Sequence, residues 1–167
     1  SQDKQPDDPT QWADVDGDGY GDNLGGTTPD ACPGTVGNST QGNRYGCVDT
    51  DGDGWDDTID ELPALKYQWL DQDGDGFGDN ATGPQPDACP GVPGTSTIDR
   101  HGCIDTDGDG ISDDNDAFPA DPGRSSDVDG DGYDDLEDGC MLIAGNSTLD
   151  RFGCIDSDGD GYSDEDA

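Results

Sequence analysis

Basic side chains are nearly missing from this chain: 6 Lys and Arg face 42 Asp and Glu, with 1 His. The formal charge of −36 repels nucleic-acid phosphates and anionic lipid at long range, so no nucleic acid partner is expected and cations are the natural companions. Apolar residues are also scarce, at 27% of 167. Burying so little apolar area cannot offset an ordering cost of roughly 1–2 kcal/mol per residue, so something other than a conventional core must order the chain. No apolar run approaches the ~20 residues of a membrane span and none resembles a signal peptide; no direct membrane insertion is expected, and any signal or anchor has been removed or lies outside this stretch. The equipment of catalysis is lacking too. No activated Ser or Cys, phosphate loop or Lys base is discernible, and the chain is not expected to be an enzyme.

What is present is repetition. The stretch "DVDGDGYGD" at 14–22 recurs as D-x-D-G-D-G-x-x-D five more times. Its carboxylates at positions one, three, five and nine are Asp14, Asp16, Asp18 and Asp22 in the first loop and Asp49, Asp51, Asp53 and Asp57 in the second. They are Asp71, Asp73, Asp75 and Asp79 in the third loop, and Asp105, Asp107, Asp109 and Asp113 in the fourth. The fifth loop has Asp127, Asp129, Asp131 and Asp135, and the sixth Asp156, Asp158, Asp160 and Asp164. A twelfth-position carboxylate follows three of them, at Asp60, Asp116 and Asp138. In the first and third loops Asp30 and Asp87 stand five residues late, after the inserts "NLGGTTPD" and "NATGPQPD", and read as the same residue displaced. The sixth loop ends at Ala167, its twelfth position, and the first spacer is entered midway at Ser1, so both ends read as cut from a longer array.

The 6 cysteines keep the same phase. Cys32, Cys89 and Cys140 lie two residues after the late Asp; Cys47, Cys103 and Cys154 lie two residues before the next loop. The larger unit (loop, cysteine hairpin, loop, spacer) repeats after 57 and then 56 residues, dividing the chain into 1–59, 60–115 and 116–167. Pro6, Pro63 and Pro119 stand eight residues before a loop; Asp8 and Asp121 stand six before, where the middle spacer has Leu65. Composition alone would fit an acidic disordered tail, but such a tail has no reason to hold Gly, Asp and Cys in register.

Alternate carboxylates on a tightly turning backbone point toward one centre, and calcium takes 6–8 oxygens at ~2.3–2.6 Å in a flexible shell. The backbone carbonyls of Tyr20, Trp55, Phe77, Ile111, Tyr133 and Tyr162, at position seven, complete the expected ligand set. Glycines at positions four and six permit the positive-φ turn that wraps the chain around an ion. Magnesium prefers a smaller octahedral shell, and zinc prefers nitrogen or sulfur ligands. About 6 to 12 calcium ions are expected, which would take −36 to between −24 and −12. An EF-hand uses similar positions, yet the twelfth residue here is Asp rather than Glu. Position eight is Gly21, Asp56, Gly78, Ser112, Asp134 or Ser163 rather than apolar, and the flanks lack amphipathic helical periodicity.

The run D-x-D-G-D-G-x-x-D-x-x-D-x-C from Asp127 to Cys140 resembles the thrombospondin type 3 repeat, and "DACP" at 30–33 and 87–90 resembles its cysteine end. The resemblance covers nearly the whole chain. It implies a mostly irregular fold with few regular elements: tandem Asp-rich calcium loops and disulfide hairpins in an elongated or compact calcium wire, each loop holding up to two ions. Similar repeats occur in long surface proteins of environmental microbes. The inserts and cysteine-bounded hairpins depart from the pattern and put the stacking of neighbouring loops in doubt. Of 15 possible cysteine pairings, the phasing favours Cys32 with Cys47, Cys89 with Cys103 and Cys140 with Cys154. Pairing Cys47 with Cys89 and Cys103 with Cys140 would strand Cys32 and Cys154. A loop of about 15 residues is worth about 3 kcal/mol in the chain-entropy account.

Three triplets fit N-glycan addition, at Asn38, Asn80 and Asn146. The position-seven side chains read as local packing between loops rather than a sugar-binding stripe. Trp12 and Trp69, each two residues before a loop, read the same way. His101 shares the register of Tyr45 and Phe152 and reads as a packing residue. The paired cysteines indicate an extracellular or cell-surface setting. The expected role is a calcium-rigidified spacer, stalk or assembly element. The alternatives are a calcium-dependent adhesion module for a glycan or protein partner, a self-assembling filament subunit, or a calcium buffer.

Overall fold

The computed structural model describes residues 3–164, so Ser1 and Ala167 lie outside the described residues. Within that range no helix or strand forms; the only ladder contacts are isolated bridges between Gly21 and Pro29 and between Asp30 and Tyr45. The expected irregular fold is therefore found, and no helix among the described residues is long and apolar enough to cross a membrane.

The interior is polar. Cys47, Cys103 and Cys154 are the only buried apolar side chains among the described residues, whereas Gln11, Gln68, Asp30, Asp56, Ser39, Ser96, Ser112 and Ser147 are all 2% exposed or less. Such a chain is held by satisfied hydrogen bonds and cross-links, since burying polar groups costs stability unless each finds a partner. It divides into two compact units, Ser1–Pro93 and Gly94–Ala167. Cys32 bonds Cys47 in the first and Cys140 bonds Cys154 in the second, as the phasing favoured. Cys89 and Cys103 are disulfide-bonded as well, and no cysteine is free.

Each hairpin is built around one buried serine. In the first unit the Asn38 and Ser39 N–H groups both donate to the Cys47 carbonyl, at 2.9 and 3.1 Å. The Ser39 hydroxyl donates to the Arg44 carbonyl and accepts from the Cys47 N–H. In the second unit Ser96 and Ser147 make the same two bonds, to Arg100 and Cys103 and to Arg151 and Cys154. Gly37 is required here because a Cβ would lie 2.1 Å from the Cys47 carbonyl carbon. The hairpin then docks on the loop that follows: Thr40 and Gln41 donate to the Gly54 carbonyl, Thr97 and Ile98 to Gly110, Thr148 and Leu149 to Gly161.

Stacked rings add local apolar contact. Tyr20 packs on Tyr45 and Tyr133 on Phe152, each with centroids 5.8 Å apart. Trp55 stacks on Trp69 at the same distance, whereas Trp12 is 58% exposed.

Candidate metal centres

All six loops are wound by one hydrogen-bond scheme. The first aspartate accepts the position-four glycine N–H on one oxygen and the position-six glycine N–H on the other: Asp49 takes Gly52 at 2.7 Å and Gly54 at 2.9 Å. Both glycines have positive φ in every loop, as the motif requires. The position-three aspartate accepts the N–H of position five, and the position-five aspartate accepts that of position seven, as Asp51 and Asp53 do. One oxygen of each is thereby fixed to the backbone, and the other is turned inward.

This brings the expected carboxylates together. Ligand-capable oxygens of Asp14, Asp16 and Asp18 lie within 4.8 Å of one another, as do those of Asp49, Asp51 and Asp53; Asp71, Asp73 and Asp75; Asp105, Asp107 and Asp109; and Asp127, Asp129 and Asp131. The late aspartates join the clusters. Asp30, Asp60, Asp87, Asp116 and Asp138 each accept the N–H two residues on, at 2.6–2.7 Å. Burial pushes Asp30 above the ordinary aspartate pKa, and Asp18, Asp16 and Asp22 push it further, against the pull of the Cys32 N–H. Asp60 is raised by burial and by Asp53, Asp51 and Asp57, Asp87 by burial and by Asp75, Asp73 and Asp79, and Asp116 by burial and by Asp109, Asp107 and Asp113. The displaced Asp30 and Asp87 thus face positions five, three and nine of their loops just as the in-register residues do.

Among the described residues, nine buried carboxylate oxygens accept no hydrogen bond: Oδ2 of Asp16, Asp30, Asp51, Asp53, Asp87, Asp107 and Asp129, and Oδ1 of Asp22 and Asp79. Buried acceptors are rarely left unpaired, and buried charges pair or coordinate metals. A hard divalent cation with oxygen preference fits this donor set. The hairpin tightens two clusters further. A Cβ on Gly46 would lie 2.6 Å from Asp30 Oδ1 and 2.9 Å from Asp18 Oδ2, and one on Gly153 would meet Asp138 and Asp131 in the same way. Gly37 and Gly145 N–H groups donate to Asp18 and Asp131, and Gly91 donates to Asp73. The carbonyls of Tyr20, Trp55, Ile111 and Tyr133 accept no backbone hydrogen bond from the described residues.

Position nine divides the loops. Asp57, Asp113 and Asp164 accept both the N–H and the hydroxyl of Thr50, Thr106 and Ser157, and Asp135 accepts Val128 N–H and the Ser126 hydroxyl. Asp79 accepts the Gln72 N–H on Oδ2 but no hydroxyl, and Asp22 and Asp79 each leave Oδ1 unpartnered.

Sequence reasoning missed the residues that connect each loop to the segment before it, and position eight carries that connection. Arg44 pairs with Asp56, Asp99 binds Ser112 through its N–H and hydroxyl, and Asp150 binds Ser163 likewise. Asp134 accepts Ser125 N–H at 3.1 Å, while Gly21 and Gly78 lie against the buried Gln11 and Gln68 amides. Burial raises Asp56, but the Thr58 N–H, Arg44 and the Thr58 hydroxyl outweigh it and hold the carboxyl low. Asp99 is held far below the ordinary value, burial being outweighed by the Arg100 N–H and the Ser112 and Asn115 donors. These are scaffold aspartates, and complementarity between position eight and the preceding segment was the signal that could have revealed them.

Of the three triplets, Asn80 is engaged: its Nδ2 donates to the Tyr67 carbonyl at 2.6 Å, and its Oδ1 accepts from Thr82. Asn38 and Asn146 are exposed, with Asn146 Oδ1 accepting the Asp156 N–H at 3.3 Å while its Nδ2 donates to none of the described residues. A scan against protein-family models finds no match to this chain, and a search of curated proteins finds none either.

Proposed function

We propose that the chain is a calcium-binding structural repeat module of an extracellular or cell-surface protein, similar to thrombospondin type 3 repeats, in which about 6 to 12 ions order the Asp loops into a stiff spacer, stalk or assembly element. The observation that carries this reading is the set of nine buried, unpartnered carboxylate oxygens facing the clusters. In this reading positions one, three, five and nine and the position-seven carbonyl of each loop hold the ion, joined in the first five loops by the late aspartate. Bound calcium supplies the charge that the oxygens lack partners for, and any ligand that binds only the folded chain stabilises it by mass action. Asn38 and Asn146 are the sites proposed for N-glycans, in preference to Asn80.

A calcium-dependent adhesion or self-assembly module is a second reading, favoured by one exposed apolar group: Leu136 is 91% exposed, Leu142 74% and Ile143 57%. The test is a calcium titration of the metal-stripped chain at two protein concentrations, followed by small-angle scattering and calorimetry. A cooperative change of dimensions that chelator reverses is expected. Dimensions indifferent to calcium would sink the proposal, and calcium-driven growth of particle mass with concentration would favour the second reading.

A further inference from the structure

The loops carry a chemical liability that their own geometry imposes. Positions three and five must be Asp to turn carboxylates inward, and positions four and six have positive φ, which favours glycine. Every loop therefore holds two Asp-Gly bonds, twelve in all. Asp-Gly is the dipeptide most open to self-isomerisation, because glycine has no side chain to hinder its nitrogen. The glycine nitrogen attacks the Asp side-chain carbonyl carbon, forming an N–Cγ bond. The carboxylate oxygen leaves as water with the amide proton and one proton from solvent. Water then opens the five-membered imide. When it attacks the former main-chain carbonyl, the bond from that carbon to the glycine nitrogen breaks and isoaspartate remains. The net change is an isomerisation, with no oxidant or reductant.

Both partners of the ring closure are restrained in this fold. The nitrogens of Gly52 and Gly54 donate to the two oxygens of Asp49 at 2.7 and 2.9 Å. Gly74 and Gly76 are held by Asp71, Gly108 and Gly110 by Asp105, and Gly130 and Gly132 by Asp127, all at 2.7–3.0 Å. An N–H that donates to a carboxylate is harder to deprotonate, so the glycine nitrogen is a poorer nucleophile while that bond is kept. The attacked carboxylates are fixed as well, Asp51 by the Asp53 N–H and Asp53 by the Trp55 N–H.

We propose that the first aspartate of each loop is a lock that prevents isomerisation of the two Asp-Gly bonds following it, and that these twelve bonds are latent modification sites opened when the lock is released. The product is self-limiting for the loop, since isoaspartate inserts a methylene into the main chain and displaces a carboxylate of the cluster. The lock consists of hydrogen bonds within the chain, so it stands independently of the calcium reading.

The test ages the full chain at neutral pH with calcium and locates isoaspartate by enzymatic methyl transfer and peptide mapping. The reference is the same chain reduced and denatured in urea. Folded protein is expected to isomerise at the loop bonds about tenfold or more slowly than the reference, the factor one charge-assisted hydrogen bond is worth. Asp49→Ala is expected to raise isoaspartate at Asp51 and Asp53 while the fifth loop stays as in wild type. Asp49→Asn keeps one acceptor and should open one of the two bonds. Asp60→Asn alters the same cluster without touching either glycine nitrogen, and should open neither. A folded rate equal to the denatured one overturns the proposal, as does an equal rise in Asp49→Ala and Asp60→Asn. A rise in Asp49→Asn shared by both bonds and the fifth loop also overturns it, because general unfolding would then be the cause.

Discussion

The aspartates in and around the loops divide into two chemical kinds that look identical as letters. Asp30, Asp51, Asp60, Asp87, Asp116 and Asp129 are raised, burial being the first cause and neighbouring carboxylates adding to it. Asp56, Asp99, Asp134, Asp150 and Asp164 are lowered because backbone or hydroxyl donors surround them. Glycine is equally specific by place. Gly46 has φ +73° and would put a Cβ 2.6 Å from Asp30 Oδ1, whereas a Cβ on Gly34 meets nothing within 4 Å. Gly46→Ala is therefore expected to cost about 1 kcal/mol or more in backbone strain and to weaken calcium binding at the first loop. Gly34→Ala should bind as wild type does. Calorimetric titration of the two variants checks this, and equal affinities would place Gly46 outside the cluster.

At the scale of the element, the inserts of the first and third loops are held by buried amides rather than by a core. Gln68 donates through Nε2 to the Asn80 and Pro84 carbonyls and accepts the Asn80 N–H on Oε1 at 3.0 Å. Gln11 makes the matching bonds to Asn23 and Thr27. Gln68→Ala should lose about 1–3 kcal/mol by leaving these groups unpaired. Gln68→Glu should lose more, since it sets a carboxylate against two carbonyls. Urea unfolding in calcium and amide exchange at Asn80 measure both, and a Glu variant as stable as wild type would contradict the assigned contacts. The Gln could not be read from the repeat because it lies in a spacer, three residues before the loop, and its partners lie beyond the loop's end. The Asp spacing was legible for the opposite reason: cluster partners are two residues apart, within one turn of chain.

For the whole molecule, the two kinds of aspartate give opposite dependences on pH. A raised carboxyl binds protons more tightly in the folded chain. Its contribution is present below the ordinary aspartate value of about 4 and is lost as pH rises through the folded value. A lowered carboxyl contributes above about 4 and loses that as pH falls through its folded value. Metal-stripped protein is therefore expected to be most resistant to urea near pH ~4, between the loss of the raised carboxyls' contribution on the alkaline side and of the lowered ones' on the acid side. With calcium present the neutral side should gain, because protons compete with the ion for the same oxygens. Urea midpoints across pH with and without calcium check both slopes, and a stripped chain that is most stable at neutral pH would refute the clustering of charge.

Composition alone determined that apolar burial could not be what orders this chain. Local spacing determined six wound loops, the glycines that turn them and the phase of the cysteines, because each depends on neighbours within a few residues. The tertiary structure decided which aspartates face a cluster and which hold the scaffold, whereas the place of Asp30 and Asp87 was already legible from the length of their inserts. It also made position eight the joint to the preceding segment and set a serine at the centre of each hairpin. Those outcomes depend on hydrogen bonds between residues many positions apart, and in a chain with so little hydrophobic patterning no periodicity announces which polar group will meet which.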